Sequence, residues 1–391
     1  MRRLLVLVCS IVFVDAMLFG ALAPLVPGYA DEFRLSKAGA GLLVGSFGAG
    51  ALLGGIPGGI AAARFGPKRA VVLGLGLLAL ASFCFALASN PWALGLSRFV
   101  QGFSSTITWA GALAWLTVET PRSRRGELIG TAFGAAVFGA IIGPMFGAVA
   151  ETVGIRVTFV TVGLVAVALG VWAATRPPAI QEPSSPASLA RALHDRAFLG
   201  GLWLNTLPAL LFGLMVVLVP LALDEAGLGA LAIGLVFLGS GLLETAVNPL
   251  LGRFSDRRGR LLPVRIALAA SIVVAVALAF ASRPLVLIPL VCLAALAFGG
   301  FYTPGMALVS DRTEAVGLAQ GMGFGIMNTA WALGNVTGPS VGGALAEAAG
   351  DALPYLLAAG LCAGTLFASF RAGSARAPSP RPAGAGSSAR R

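Results

Sequence analysis

LFGALAPLVP (Leu18–Pro27) returns 193 residues later as LFGLMVVLVP (Leu211–Pro220), with six of ten residues identical. Working outward in the same register, Asp31-Glu32 meets Asp224-Glu225 and Gly41-Leu42 meets Gly234-Leu235. Gly59, Arg64 and Gly66 meet Gly252, Arg257 and Gly259. The offset then drifts to 195, and GAIIGPMFG (139–147) meets GNVTGPSVG (334–342). Single matches are cheap in an apolar chain, but a register shared over two long blocks is not. The chain reads as a parallel repeat, two copies of one unit.

Each unit is made of membrane spans. Hydrophobic residues are 57% of 391 and charged residues 11%, with a mean hydropathy of +0.90. That is too little polar surface for a soluble domain of this length. The apolar runs approach 20 residues, enough for a helix to cross a ~30 Å hydrocarbon core. Barrel strands are half as long and alternate. Twelve spans are expected, at roughly 4–26, 38–62, 70–88, 92–116, 128–150, 154–175, 198–221, 229–251, 262–281, 284–308, 316–345 and 352–371. The first run, with MRR before it and Ala21-Leu22-Ala23 within it, imitates a cleaved signal peptide. It continues past that point and has an internal counterpart, so it is read as a span.

The N-terminus, the even-numbered loops and the tail hold 22 of the 27 Lys and Arg residues. Basic loops stay in the cytoplasm, so both termini are expected there. The net charge of +11 is thus a topology signal spread over several loops, and no nucleic-acid partner is expected. PPAIQEPSSPAS (177–188) reads as a linker and the residues after 373 as a low-complexity tail. The expected organisation is an N-terminal six-helix bundle (1–176), a cytoplasmic linker (177–196), a C-terminal six-helix bundle (197–372) and a disordered tail (373–391). The four cysteines lie in apolar runs, as packing residues. The one histidine, His194, is expected in a loop, which leaves no histidine metal site. No metal and no cofactor is expected. No Gly-Lys-Ser/Thr phosphate loop and no hydrolytic constellation is present, so neither an ATP-driven pump nor an enzyme is indicated.

The repeat supplies its own control, because scaffold residues should occur in both copies. Asp15 meets Pro208, Glu244 meets Ala51 and Asp256 meets Ala63, so each acid is present once. Asp15 lies 12 residues beyond Arg3, roughly 18 Å deep at 1.5 Å per residue. Glu244 is as deep, and Arg98 lies inside span 4. Such residues face protein or a watery cavity and pair where possible. One reading makes Asp15 and Arg98 a structural ion pair. The other notes two acids against one arginine, which leaves a surplus carboxylate able to take up a proton. Arg98, Gln101, Ser105 and Thr108 recur at helical spacing along one face of span 4. Asn328, Trp331 and Asn335 do so in span 11, and Asn205, Phe212 and Met215 in span 7. Such faces serve packing as well as binding.

Several motifs together resemble one family. GRFSDRRGR (252–260), with Gly252, Asp256, Arg257, Gly259 and Arg260, is similar to the cytoplasmic loop signature of the major facilitator superfamily. GIAAARFGPKR (59–69), with Gly59, Arg64 and Gly66, looks like its eroded partner. LSRFVQG (96–102) resembles that family's Arg-x-x-Gln-Gly. GAIIGPMFG, with Gly139, Gly143, Pro144 and Gly147, is similar to the Gly-Pro motif of its antiporters. Asp15 followed by Pro24 and Pro27 looks most like the drug:proton antiporters and vesicular amine transporters. The resemblance implies an all-α membrane fold of two six-helix pseudo-repeats. It implies a central cavity lined by spans 1, 4, 7 and 10, which adds Tyr302 to the candidate site. It implies a latch at Asp256, Arg257 and Arg260, unequal here because Ala63 replaces the aspartate of the first copy. The expected function is proton-coupled efflux of a small amphipathic or cationic compound by a monomer in the inner membrane. The partners are then substrate, protons and the lipid bilayer. The rivals are a proton-coupled nutrient uptake symporter on the same fold and a non-transporting membrane sensor or scaffold.

Overall fold

The computed structural model describes residues 2–120, 125–178, 186–258, 261–318 and 320–374. Every regular element among them is helical. The first half comprises α1 (Arg2–Gly20), a 3-10 turn (Ala23–Leu25), α2 (Val26–Glu32), α3 (Lys37–Phe65), α4 (Pro67–Leu87), α5 (Pro91–Glu119), α6 (Arg125–Val153) and α7 (Ile155–Ala174). A short helix, α8 (Pro186–His194), follows. The second half holds α9 (Arg196–Glu225), α10 (Ala230–Arg258), α11 (Leu261–Phe280), α12 (Pro284–Gly299), α13 (Tyr302–Ala315), α14 (Gln320–Ala349) and α15 (Ala352–Ser374).

Among the described residues, ten segments are long and apolar enough to cross a membrane. The other two long helices, α5 and α14, carry the polar faces read from the sequence, which lower their mean hydropathy. Only helices that satisfy their own backbone suit such a setting. Their ends follow local chemistry. Asn90 caps α5 by accepting from the Ala93 N–H at 2.9 Å. Gly154, at φ 115°, makes the turn between α6 and α7 in a conformation that side chains rarely adopt.

Spans 1 and 10 are not continuous as expected. Span 1 breaks after Gly20 around Pro24, and span 10 breaks at Gly300-Phe301. A proline lacks the N–H that a helix interior needs, and two consecutive glycines favour a kink. The linker differs too. Its residues 179–185 lie outside the described residues, but Pro186–His194 is helix. Ala192 of α8 is buried with Phe198, Val309, Leu318 and Met327 of the second half. His194 therefore ends a helix, its Nδ1 2.8 Å from the Ala190 carbonyl oxygen.

Asp195 then starts α9. Its Oδ1 accepts from the Ala197 and Phe198 N–H groups, both at 2.9 Å, and its other oxygen is paired with Arg312 at the end of α13. The Arg312 guanidinium, helped by the Phe198 N–H, holds the Asp195 carboxyl below the usual carboxylate range. A depressed folded-state pKa adds stability that is complete above the ordinary Asp value, about 3.9, and lost as pH falls through the folded value. Asp195→Asn keeps the cap and loses the pair. Its melting temperature should fall below wild type at neutral pH and converge with it under acid. Asp195→Ala should lose the cap as well, about 1 kcal/mol.

The halves meet along α3 against α14 and along α6 against α10. A methyl on Gly48 would lie 2.7 Å from the Asn335 carbonyl carbon, and one on Gly234 would lie 2.7 Å from Ala148 Cβ. Small residues allow this approach. At the rim opposite the chain ends, polar links cross between the halves, among them a side-chain bond between Ser36 and Glu347. Lys37 Nζ donates to both Asp351 oxygens at 2.7 and 2.8 Å. Glu347 Oε2 accepts from the Ala38 N–H at 2.9 Å, so a carboxylate of one half caps a helix of the other. Glu347→Gln with Asp351→Asn should loosen this rim. Spin labels at Arg34 and Ala349 should then report a longer mean distance, and an unchanged distance would show that apolar packing alone closes it.

Candidate functional site

Asp15 is 5% exposed, deep in α1. Its Oδ2 accepts two neutral hydrogen bonds from α5, one from Ser105 Oγ at 2.7 Å and one from Trp109 Nε1 at 2.8 Å. Trp109 in turn packs on Phe133 of α6, ring centroids 5.5 Å apart. Arg98 is 2% exposed, but no ion pair joins it to Asp15 among the described residues. Its Nη1 donates to Gln101 Oε1 at 3.0 Å and to the Leu18 carbonyl at 3.2 Å. The guanidinium lies over the Phe47 ring, 4.9 Å from its centroid. A π face, a carbonyl and an amide oxygen all attract a cation without carrying a full charge. Arg98 thus makes no ion-pair contact with Asp15 or Glu244, and it interacts with Asp15 electrostatically from a longer distance. The groups in direct contact with each charge are separate and neutral.

Close helix packing produces this arrangement. A methyl on Gly102 would overlap the Phe47 carbonyl oxygen, and one on Gly50 would overlap that of Phe99. The α3–α5 crossing thus brings Phe47 under Arg98. The Gly-Pro stripe of α6 faces α1, where methyls on Gly139 and Gly147 would overlap the Phe13 and Ala21 carbonyl oxygens. A methyl on Gly143 would lie 2.6 Å from the Met17 carbonyl oxygen. Gly334, Gly338 and Gly342 of α14 serve the second half likewise against α9. Pro144 lies inside α6, and its Cδ would meet a methyl on Gly20 at 3.2 Å.

The second half contributes a different cluster. Glu244 lies against Gly299, beside the break in span 10, where a methyl on that glycine would overlap its Oε1. Tyr302, just after the break, interacts with Glu244 and Trp331. Its ring stacks on Phe212 with centroids 6.4 Å apart. Phe19 joins the halves, 5.2 Å from Phe47 and 5.1 Å from Trp331 between centroids. An aromatic bridge runs from under Arg98 across to α14.

Other candidates fall elsewhere. Asn205 Nδ2 donates to the Met327 carbonyl at 2.8 Å, tying α9 to α14. Asn335 Nδ2 donates to the Trp331 carbonyl of its own helix at 3.2 Å. Asn328 is half-buried. Thr108 is buried away from Asp15, its hydroxyl facing Gly74 of α4 and donating to the Ser104 carbonyl at 2.8 Å. Trp109, Phe19 and Phe47 were missed by the sequence reading. Trp109 stands four residues after Ser105 and was the available signal, since its indole N–H is a donor. In the first-copy loop, Gly59 has open space around it, Arg64 lies over Phe65 at 5.8 Å, and Gly66 turns at φ 88°. The side chains of Ala63, Asp256 and Arg257 and the surroundings of Gly252 lie outside the described residues, as do Gly259 and Arg260 entirely. Groups of His, Cys, Asp and Glu able to hold a metal are absent among the described residues.

A profile of the Major Facilitator Superfamily matches residues 8–322 and 205–390. The chain belongs to that superfamily. It is a multi-pass membrane transporter and not an enzyme. Multidrug resistance protein 2 of Bacillus subtilis (strain 168) is 24% identical over 358 residues, covering 88% of this chain and 89% of that one. Quinolone resistance protein NorA of Staphylococcus aureus (strain MSSA476) is 24% identical over 359 residues, covering 88% and 90%. Among solved structures, a bacterial homologue of the human lysosomal transporter Spinster, inward-facing and unoccupied, superposes with a TM-score of 0.80. It is 16% identical and covers 97% of this chain and 98% of its own, so the fold is shared.

Proposed function

We propose that this superfamily member exports a small amphipathic or cationic compound in exchange for protons. The observation that carries the reading is Asp15. It is a buried carboxylate whose direct partners are two neutral donors, with Arg98 acting on it only from beyond ion-pair contact, one helical turn from Phe19, where the aromatic bridge crosses between the halves. A buried carboxylate without a counter-ion favours either a proton or a cation. Competition between the two for one group is the simplest form of exchange. The aromatic faces of Phe19, Trp331 and Tyr302 suit an apolar cation. Glu244, beside Tyr302, gives the second half a carboxylate of its own. The names of the two bacterial relatives, multidrug and quinolone resistance proteins, support efflux. In this reading the bundles of residues 1–176 and 197–372 rock about the site. The protein acts as a monomer in the inner membrane with both termini cytoplasmic.

The test is transport in everted membrane vesicles. Acidifying the vesicle interior should drive accumulation of a lipophilic cationic dye, and an uncoupler should release it. Accumulation only with the opposite gradient would favour uptake symport. No gradient-dependent movement of any compound in a broad panel would favour the sensor or scaffold.

A further inference from the structure

Both donors that reach Asp15 bind the same oxygen. Ser105 Oγ and Trp109 Nε1 converge on Oδ2 at 2.7 and 2.8 Å, while no bond to Oδ1 occurs among the described residues. Nor is Oδ1 among the fully buried atoms that lack a partner, so it borders accessible space. The helices packed on α1 are α5, α6 and α7. At this level only α5 brings a charged side chain, Arg98. The charged residues of α6 and α7 (Arg125, Glu127, Glu151 and Arg156) lie near their ends. Arg98 spends its Nη1 on Leu18 and Gln101 and its face on Phe47.

We propose that Ser105 and Trp109 are positioning residues that fix the Asp15 carboxylate through Oδ2 and so present Oδ1 alone to the exchanging proton or substrate cation. Two neutral donors orient an ionised carboxylate without cancelling its charge, whereas an arginine at the same distance would compete with any incoming cation. Fixing the group matters because a free carboxylate rotates and offers both oxygens. Trp109 adds reach, since its ring lies on Phe133 while its N–H holds Asp15. The orientation of Asp15 thus follows the packing of α5 on α6. This inference rests on Asp15 being the exchanging group.

The test is infrared difference spectroscopy of the full chain in liposomes, cycled between acid and alkaline buffer. Asp15→Asn identifies the carboxyl C=O band that belongs to Asp15. In Trp109→Phe and in Ser105→Ala that band should persist and move to higher wavenumber, because each loses one hydrogen bond. Ser105→Thr, which keeps the hydroxyl, should restore the wild-type position. The apparent KM for a cationic dye should rise in the first two variants and recover in the third. A band that titrates normally but stays in place in both Trp109→Phe and Ser105→Ala would overturn the positioning role and leave proton exchange at Asp15 standing. Absence of any Asp15-dependent band would overturn both.

Discussion

Asp15→Asn is expected to reduce uphill, proton-driven transport to the level of empty liposomes while leaving expression and melting temperature near wild type. The asymmetry follows from the geometry. Asparagine keeps one side-chain oxygen in nearly the same place, so Ser105 and Trp109 retain an acceptor. Removing the charge also removes a desolvation penalty, so the fold has little to lose. What disappears is the group that binds a proton in one step and releases it in the next. Arg98 does not depend on Asp15 for contact, since its partners are Gln101, Leu18 and Phe47. Uphill flux and folded yield should therefore separate cleanly. Normal uphill transport by the variant across about pH 6–8, the range open to a shifted carboxylate, would remove Asp15 from the mechanism.

Gly139→Ala should do the opposite and damage the fold and transport together. Its new methyl would overlap the Phe13 carbonyl oxygen and lie 3.2 Å from the Met17 backbone nitrogen, on either side of Asp15 in sequence. Backbone atoms in a packed helix cannot move aside alone, so α1 and α6 must part. Overpacking of this kind costs about 1–3 kcal/mol. A shift of α1 also strains the bonds from α5 to Asp15. Gly134→Ala, on the same helix, is the control. Nothing lies within 4 Å of its added methyl, and alanine is the better helix former by about 1 kcal/mol. Thermal melts and flux assays of the two variants should diverge. If Gly139→Ala melts like Gly134→Ala, the α1–α6 approach is looser than described.

The partners of Asp15 illustrate what was readable in advance. Its depth and its absence from the second copy marked it directly in the sequence. Helical spacing also found Arg98, Gln101 and Ser105 on one face. The same spacing offered both Thr108 and Trp109 after Ser105, because steps of three and four share a face at 3.6 residues per turn. Choosing the more polar residue selected Thr108, which faces α4 instead. Asp15 and Arg98 interact without touching for a related reason. Counting charges predicts a sum, but contact depends on how helices are rotated and how closely they cross. Those quantities are set by glycines such as Gly102, Gly139 and Gly147 on partner helices.

By itself the sequence determined the membrane class, the repeat, the superfamily and the unusual acids. The superfamily came from the resemblance of short motifs; the others follow from composition, from register and from the cost of a charge in hydrocarbon, all of which are local or additive along the chain. Tertiary structure alone decided that α8 docks under the second half. It alone placed Phe19 between Phe47 and Trp331 and gave Asp15 and Arg98 different contact partners. Each of these depends on which face of one helix meets which face of another. In an apolar chain most faces are equally greasy, so the hydrophobic pattern cannot choose among them. Steric fit at small residues can.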